Sequence, residues 1–234
     1  VNPLNWISLG LRLKREAPDI ILMKYWTPFM APCFGSIARI ARSNGHTKVI
    51  CQIDNVEPHE HHITDKPFNR YYLRSVDGFV YMSEAVKSDL DTYGLGNPAL
   101  FSPHPLFDTY GQRVERTEAC TRLGLDPQTD YTMFFGYIRD YKGLDLLIEA
   151  WAMLHKRGLT QGRKLLVVGE VYGADTKYTE QIARLGLEDE VVMHTRFVPD
   201  GEVADYFSVA QMVALPYKSA TQSGVTQVAY AFGV

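Results

Sequence analysis

Apolar and polar positions follow two alternating patterns along the first half of the chain. Short, nearly continuous apolar runs predict buried strands, and apolar residues repeated every three or four positions predict amphipathic helices. Helical patterns cover Trp6–Lys14 and Phe34–Arg42, and Ser83 is placed to cap the start of a further helix. The strands predicted in this half are Asp19–Tyr25, Lys48–Ile53, Asp77–Met82 and Ala99–Ser102.

The second half repeats this alternation after a polar, proline-containing stretch from Pro103 to about Arg113, which we interpret as a linker. Strands that alternate with helices predict parallel sheets joined by right-handed crossovers. The fold class is therefore α/β, with two Rossmann-like doubly wound domains, 1–105 and 106–234, that face each other across a cleft. The strands predicted here are Tyr131–Ile138, Lys164–Val168, Val191–Phe197 and Met212–Pro216, and the helices are Leu144–His155, Thr176–Leu185, Glu202–Ser208 and one from Gly224 that stops without a cap.

Composition excludes several classes of protein. The 234 residues are 46% hydrophobic and 22% charged with a formal net charge of −3, which is typical of a globular protein, and no excess of basic residues suggests a nucleic-acid binder. The three cysteines form neither a metal pattern nor a disulfide framework. We expect a cytoplasmic protein, with peripheral contact at the inner face of a membrane left open. Two complete domains of this kind need a longer chain, so we expect a fragment truncated at both ends.

The stretch Gly136–Gly143 is the most informative part of the sequence. It joins a predicted strand to a predicted helix and carries two cations, Arg139 and Lys142. Ligands of open α/β sheets bind at the carboxyl ends of the strands, and a helix N-terminus flanked by cations suits a phosphate or diphosphate. Gly136 lets a ligand approach the backbone closely. A solvated basic turn is the alternative interpretation.

Three other strand ends of the second half carry candidate ligand groups. Val167–Glu170 ends in a glycine and an acid, and Arg196–Pro199 follows the next strand. In Pro216–Val225, a loop of small residues leads into a helix whose first N–H groups, from Ser223, Gly224 and Val225, suit a diphosphate.

These motifs and their order resemble the glycosyltransferases of the GT-B fold, family 4 type (glycosyl transferases group 1), in a bacterial subgroup. The resemblance implies transfer of a sugar, with retention of configuration, from a nucleotide-diphosphate sugar to a hydroxyl of a saccharide or lipid-linked acceptor, in polysaccharide or glycoconjugate synthesis. It implies no metal or other cofactor. The donor-binding residues it implies are Gly136, Arg139, Lys142, Glu170, Phe197, Gln222, Ser223, Gly224 and Val225. Phe197 is otherwise a core residue.

The chain departs from the family pattern at two places. The family carries a glutamate near Thr221 and Gln222 and another eight residues later, near Ala229, and this chain has neither. Tyr137 also replaces the arginine that follows the first glycine, and Arg139 is the candidate to take its role. Two alternatives therefore stay open: a sugar-nucleotide epimerase of the same fold, and a non-catalytic nucleotide-sugar-binding homologue.

One dense polar cluster, Asp54–Asp65, follows a predicted strand of the first domain. Its histidines and carboxylates suggest a metal site, but an HxHxDH motif would need an Asp and a His where Ile63 and Thr64 stand, and a helical His-Glu-x-x-His motif is not present either. The segment resembles the acceptor-side loop of the same transferases. That resemblance makes His59 the candidate catalytic residue, as hydrogen-bond donor or proton carrier.

Overall fold

The computed structural model describes residues 2–57, 62–171, 176–220 and 222–234. The chain divides into two compact units, Val1–His104 and Pro105–Val234. Each unit contains a four-stranded, wholly parallel sheet with helices packed on it, as the α/β prediction requires.

The first unit has its strands in chain order, β1-β2-β3-β4. Its core packs β2 and β3 against α2, α3 and α4, with Tyr25, Ile53 and Tyr72 fully buried. Its elements are α1 (Pro3–Glu16), β1 (Ile20–Tyr25), α2 (Ala31–Arg42), β2 (Lys48–Ile53), α3 (Asp65–Leu73), β3 (Gly78–Tyr81), α4 (Glu84–Asp91) and β4 (Ala99–Phe101), with a short 3-10 helix at Pro28–Met30.

The second unit has the strand order β7-β6-β5-β8. The chain builds β5, β6 and β7 outward in one direction and then returns, so that β8 pairs with the other side of β5. Its elements are α5 (Arg116–Leu123), β5 (Asp130–Phe135), α6 (Leu144–Lys156), β6 (Arg163–Val168), α7 (Thr176–Leu185), β7 (Val191–His194), α8 (Asp200–Val209), β8 (Ala210–Val213) and α9 (Gly224–Phe232), with a 3-10 helix at Asp140–Lys142.

Both faces of the second sheet are buried, because successive side chains of a strand point to opposite faces. Met133 and Leu166 pack into a cluster with α5, α8 and α9, whereas Phe134 and Leu165 pack into another with α6 and α7. Strands buried on both faces have nearly continuous apolar sequences, which explains why β5 and β6 could be predicted from sequence.

Some sequence predictions of local structure differ from the fold. Helices α3 and α5 were not predicted, and β5 ends at Phe135 rather than Ile138, which makes only an isolated bridge to Val171. The helix at 224 has a cap after all: Gly233 adopts a left-handed conformation, with φ of +69°, and its N–H bonds back to Tyr230.

Candidate functional site

The strand order of the second unit creates a crevice between β5 and β8. Ligands of open α/β sheets bind where the strand order reverses, at the carboxyl ends of the two strands concerned. The turn after β5, residues 136–143, and the loop after β8, residues 214–223, therefore lie side by side. Lys218 N–H donates to Tyr141 C=O at 2.8 Å, which joins the two segments directly.

Three glycines allow the turns at this edge to approach one another. Gly169, with φ of +133°, lies so close to the next turn that a Cβ there would be 2.2 Å from Gly136 C=O. A Cβ on Gly143, with φ of +71°, would lie 2.1 Å from the carbonyl oxygen of Pro216. Gly136 itself has φ of +101°, and a Cβ there would meet Lys142 Nζ at 3.0 Å and Val225 Cγ2 at 3.5 Å. The ammonium, the first turn of α9 and the Gly136 backbone thus meet at one point.

Lys142 is buried, with 9% of its surface exposed. Within the described part of the chain its ammonium makes no hydrogen bond or ion pair, and it lies over the Tyr217 ring, 5.6 Å from Nζ to centroid. Burial, with a smaller contribution from the charge of Arg139, lowers the pKa of Lys142 from 10.5 to about 8. A buried cation without a protein anion is energetically unfavourable, and such groups mark functional sites.

The acids closest to Lys142 in sequence bind other lysines. Asp140 accepts hydrogen bonds from Lys177 at 2.7 Å and from Lys218 at 3.1 Å, and Asp145 accepts one from Lys218 at 2.8 Å. The two lysines hold the pKa of Asp140 below its usual value. This network connects the turn after β5 with α7 and with the loop after β8.

Helix α9 begins at the same crevice. Ser223 is its N-cap residue, but no side-chain capping bond is made there among the described residues; the Ser223 hydroxyl instead lies 3.1 Å from the Tyr217 hydroxyl. The N–H groups of a helix's first turn have no intrahelical partner and carry the positive end of the helix dipole. The start of α9 is therefore arranged to accept an anion.

Gly136 also lines a cavity of about 180 Å³ at the turns that follow β5, β6 and β7. Its walls are aromatic, from the side chains of Tyr110, Phe135 and Phe197, and two carboxylates, Glu170 and Asp200, line it as well. Such a cavity suits a planar ring and a group rich in hydroxyl donors.

The predicted donor-binding residues are distributed over these two places. Gly136, Lys142 and Val225 meet at the crevice, whereas Glu170 and Phe197 line the cavity. Arg139 is exposed at the start of the 3-10 helix. Phe197 is 60% exposed, so the alternative that it is a core residue is wrong. Gln222 and Ser223 are half-buried just before α9.

His59 and Thr221 lie outside the described residues, as do Glu60 and His61 of the polar cluster. The loop leading to His59 is anchored by a buried amide, Asn69, which donates to Val56 C=O at 2.7 Å and accepts from the Tyr25 hydroxyl. Tyr93 adds a hydrogen bond to Glu57 Oε1 at 2.8 Å. These bonds fix the described start of the segment at the carboxyl ends of β1 and β2.

No group of three or more His, Cys, Asp or Glu side chains within the described residues is arranged to hold a metal ion. In the same ranges, no helix has both the length and the apolar character of a membrane span.

Residues 129–234 match the family model of glycosyl transferases group 1. A curated relative, D-inositol 3-phosphate glycosyltransferase of Jonesia denitrificans, is 31% identical over 119 residues, which are 49% of this chain and 27% of the relative. The chain therefore spans about a quarter of that relative's length.

Solved structures extend the likeness to both units. Sucrose-phosphate synthase from Thermosynechococcus elongatus matches with a TM-score of 0.75 at 15% identity, over 95% of this chain and 56% of that one. HepE of Anabaena, solved in complex with UDP and glucose, matches with a TM-score of 0.73 at 17% identity, over 97% of this chain and 61% of that one. The chain has the GT-B fold of these glycosyltransferases.

Sequence reasoning missed several residues of the crevice and the cavity. Tyr217, between Lys142 and Ser223, and Tyr110 and Asp200, in the cavity wall, were not candidates. Tyr217 could in principle have been identified from the sequence, since it directly follows a predicted strand. Tyr110 precedes the second unit's strands and carries no local signal.

Proposed function

We propose that this chain is part of a retaining glycosyltransferase that moves a sugar from a nucleotide-diphosphate sugar to an acceptor hydroxyl. The observation that carries the proposal is the buried Lys142 ammonium, which has no acidic partner among the described residues and lies beside the first turn of α9. A diphosphate bound there supplies the missing negative charge. The match of residues 129–234 to the family model of glycosyl transferases group 1 supports the same activity.

The chemistry assigned to this site is stabilisation of the leaving diphosphate. When the bond between sugar and phosphate breaks, negative charge develops on the phosphate oxygens, and positioned donors lower the barrier most where charge develops. Lys142, the N–H groups of Ser223–Val225 and Arg139 are the donors proposed. In the retaining mechanism, the leaving phosphate oxygen accepts the acceptor's proton, so a protein base is not required.

The nucleoside end of the donor is assigned to the aromatic cavity. Gly136 borders both the crevice and the cavity, so one ligand can place its phosphates by Lys142 and its ring system near Phe197. Glu170 and Asp200 are acceptors for ribose hydroxyls. HepE, which has the same fold, holds UDP and glucose in its structure.

The first unit is proposed to carry the acceptor. His59 keeps its proposed role near the reacting hydroxyl, and the anchored segment Asp54–Glu57 leads to it. The acceptor proposed is a saccharide or lipid-linked saccharide of polysaccharide or glycoconjugate synthesis, handled in the cytoplasm with or without contact to the membrane surface. No metal or other cofactor is proposed.

Calorimetric titration of UDP, GDP and ADP, with and without Mg²⁺, tests the donor site. We expect saturable, metal-independent binding of one of them, weakened more than tenfold by Lys142→Ala, because a hydrogen bond to a charged group contributes about 1.5–3 kcal/mol. Lys156→Ala, at the exposed end of α6, is the matched control. Equal affinity in Lys142→Ala and the wild type would exclude Lys142 from the site.

A non-catalytic nucleotide-sugar-binding protein is the second candidate. Ala229, in the region where the family has its second glutamate, is 5% exposed within α9, so this part of the helix packs into the core without a carboxylate. Turnover separates the two. Release of free nucleoside diphosphate from its sugar conjugate in the presence of an acceptor extract favours the transferase, whereas binding without release favours the second candidate.

A further inference from the structure

Tyr217 connects the two groups that the donor-site proposal uses. Its ring faces the Lys142 ammonium, 5.6 Å from Nζ to centroid, and its hydroxyl lies 3.1 Å from Ser223 Oγ at the start of α9. The side chain is half-buried, and burial raises the pKa of its hydroxyl, which keeps it a neutral hydrogen-bonding group. One side chain thus contacts both the cation and the helix N-cap.

The position of the Tyr217 side chain is fixed by a neighbouring aromatic ring and by the bonds of the next residue. The Tyr141 ring meets it in an edge-on arrangement at 6.3 Å between centroids. The next residue, Lys218, is fixed by its backbone bond to Tyr141 C=O and by its ammonium bonds to Asp140 and Asp145. These bonds fix the backbone on either side of the crevice, at Tyr141 and at Lys218, and the Tyr217 ring therefore has a defined position.

We propose that Tyr217 is a positioning residue for the donor diphosphate, whose ring holds the Lys142 ammonium while its hydroxyl orients Ser223, so that both meet the same phosphate group. The proposal rests on the proposed donor site. It adds a residue to that site which touches the cation and the helix N-cap.

The ring has a defined electrostatic task. Arg139, from the same turn, repels the ammonium, and the carboxylates of Asp140 and Asp145 are bonded to Lys177 and Lys218. The negative face of an aromatic ring attracts a cation, and the attraction is stronger when the cation is desolvated. The ring therefore stabilises the charged form of Lys142, which is the form that binds phosphate.

Two substitutions separate the two tasks. Tyr217→Phe removes the hydroxyl and keeps the ring, and Tyr217→Leu removes both. The full chain is titrated calorimetrically from pH 6.5 to 9.5 with whichever of UDP, GDP and ADP it binds. Two quantities are measured. One is the affinity, and the other is the midpoint of the pH-dependent fall in affinity that is absent from the Lys142→Met variant. Tyr230→Phe and Tyr230→Leu are matched controls, because Tyr230 is 65% exposed on α9.

We expect Tyr217→Phe to weaken binding about two- to tenfold, the effect of one neutral hydrogen bond, with the pH midpoint unchanged. We expect Tyr217→Leu to weaken binding further and to move the midpoint down by roughly half a pH unit, because the cation loses its ring. Both Tyr230 variants should match the wild type. A merely structural role for Tyr217 would not shift the midpoint in one variant and preserve it in the other.

The outcomes distinguish the two proposals. If the wild type binds a nucleoside diphosphate through Lys142 but both Tyr217 variants retain its affinity and midpoint, the role of Tyr217 is wrong and the donor site stands. A midpoint in Tyr217→Leu that stays or rises overturns the role of the ring. If the wild type binds none of the three, or binds one without dependence on Lys142, the donor site and the role of Tyr217 fall together.

Discussion

Replacement of Lys142 by methionine should make the protein more stable while it weakens donor binding more than tenfold. In the folded chain, burial lowers the pKa of Lys142 from 10.5 to about 8, which means that the fold disfavours the charged form. Methionine has a similar length and no charge, so it removes this unfavourable term and keeps most of the packing. Residues that are retained at a loss of stability are expected at functional sites.

The size and the pH dependence of the gain follow from the two pKa values. One unit of pKa corresponds to about 1.4 kcal/mol, so the buried charge destabilises the fold by about 3 kcal/mol at pH 7, where both folded and unfolded chains are protonated. Above about pH 8 the folded chain releases the proton while the unfolded chain still binds it, and the wild type therefore gains stability as pH rises towards 10.5. The advantage of Lys142→Met should fall to under about 1 kcal/mol at pH 10.

The assay must report on the second unit alone, because the chain divides into two units that need not unfold together. Trp151, 4% exposed on α6, is the tryptophan of that unit, and the others are Trp6 and Trp26. Urea unfolding followed by Trp151 fluorescence, in a Trp6→Phe/Trp26→Phe background, measures the stability of the second unit at pH 7 and pH 10.

Lys156→Met is the matched control for this experiment. Lys156 lies in the last turn of α6, where a cation interacts favourably with the helix dipole, so its removal should leave stability unchanged or slightly lower it. The reasoning is refuted if Lys142→Met is no more stable than Lys156→Met at pH 7. It is refuted equally if the difference between them does not shrink at pH 10.

Two further substitutions test the local geometry of the units. Gly143→Ala should destabilise the second unit by well over 2 kcal/mol in urea unfolding, because the new Cβ would lie 2.1 Å from Pro216 C=O. Gly162→Ala, at nearly the same φ but in open space, should destabilise it by only about 1 kcal/mol, and equal effects of the two substitutions would contradict the close approach. Asn69→Ala should destabilise the first unit by about 1–3 kcal/mol, since Tyr25 loses its acceptor in the core, and an unchanged unfolding curve from the first unit's tryptophans would contradict this.

The strands could be predicted from the sequence more completely than the helices. A strand in a parallel sheet is buried on both faces, so β6 has an unbroken apolar run that sequence reasoning detects. Helix α3 escaped detection because its buried face includes Asp65 and Asn69 beside Tyr72 and Leu73, which hides the apolar period. Helix α5 is polar overall, and only two of its residues are buried, Ala119 and Cys120.

Only those parts of the candidate site that lie within one short sequence pattern could be predicted. The turn after β5 was identified from a strand, two glycines and two cations, all within ten residues. The position of β8 beside β5 is a property of strand order, which no local pattern encodes, and it is what brings Tyr217 to Lys142. The burial of Lys142, which lowers its pKa, is likewise a property of the folded unit that no local pattern encodes.

The pairing of charges around the crevice gives one more prediction. Asp140 and Asp145 neutralise Lys177 and Lys218, which leaves Lys142 as the buried cation whose charge a ligand must balance. A bound diphosphate should therefore raise the pKa of Lys142, and binding above about pH 8 must take up a proton.

Calorimetry in two buffers of different ionisation enthalpy measures this uptake. With a free pKa of about 8, Lys142 is mostly neutral at pH 8.5, and we expect the uptake of most of one proton per bound diphosphate there. At pH 6.5 Lys142 is already charged and takes up almost none, and the terminal phosphate, whose pKa is about 6, can only release a proton on binding beside a cation. In the Lys142→Met variant, any residual binding should take up no proton at pH 8.5, where the terminal phosphate is fully ionised. Equal proton uptake at both pH values in the wild type would mean that the ammonium does not face the phosphates, because a lysine that contacts a diphosphate in this site has to acquire its charge from the solvent.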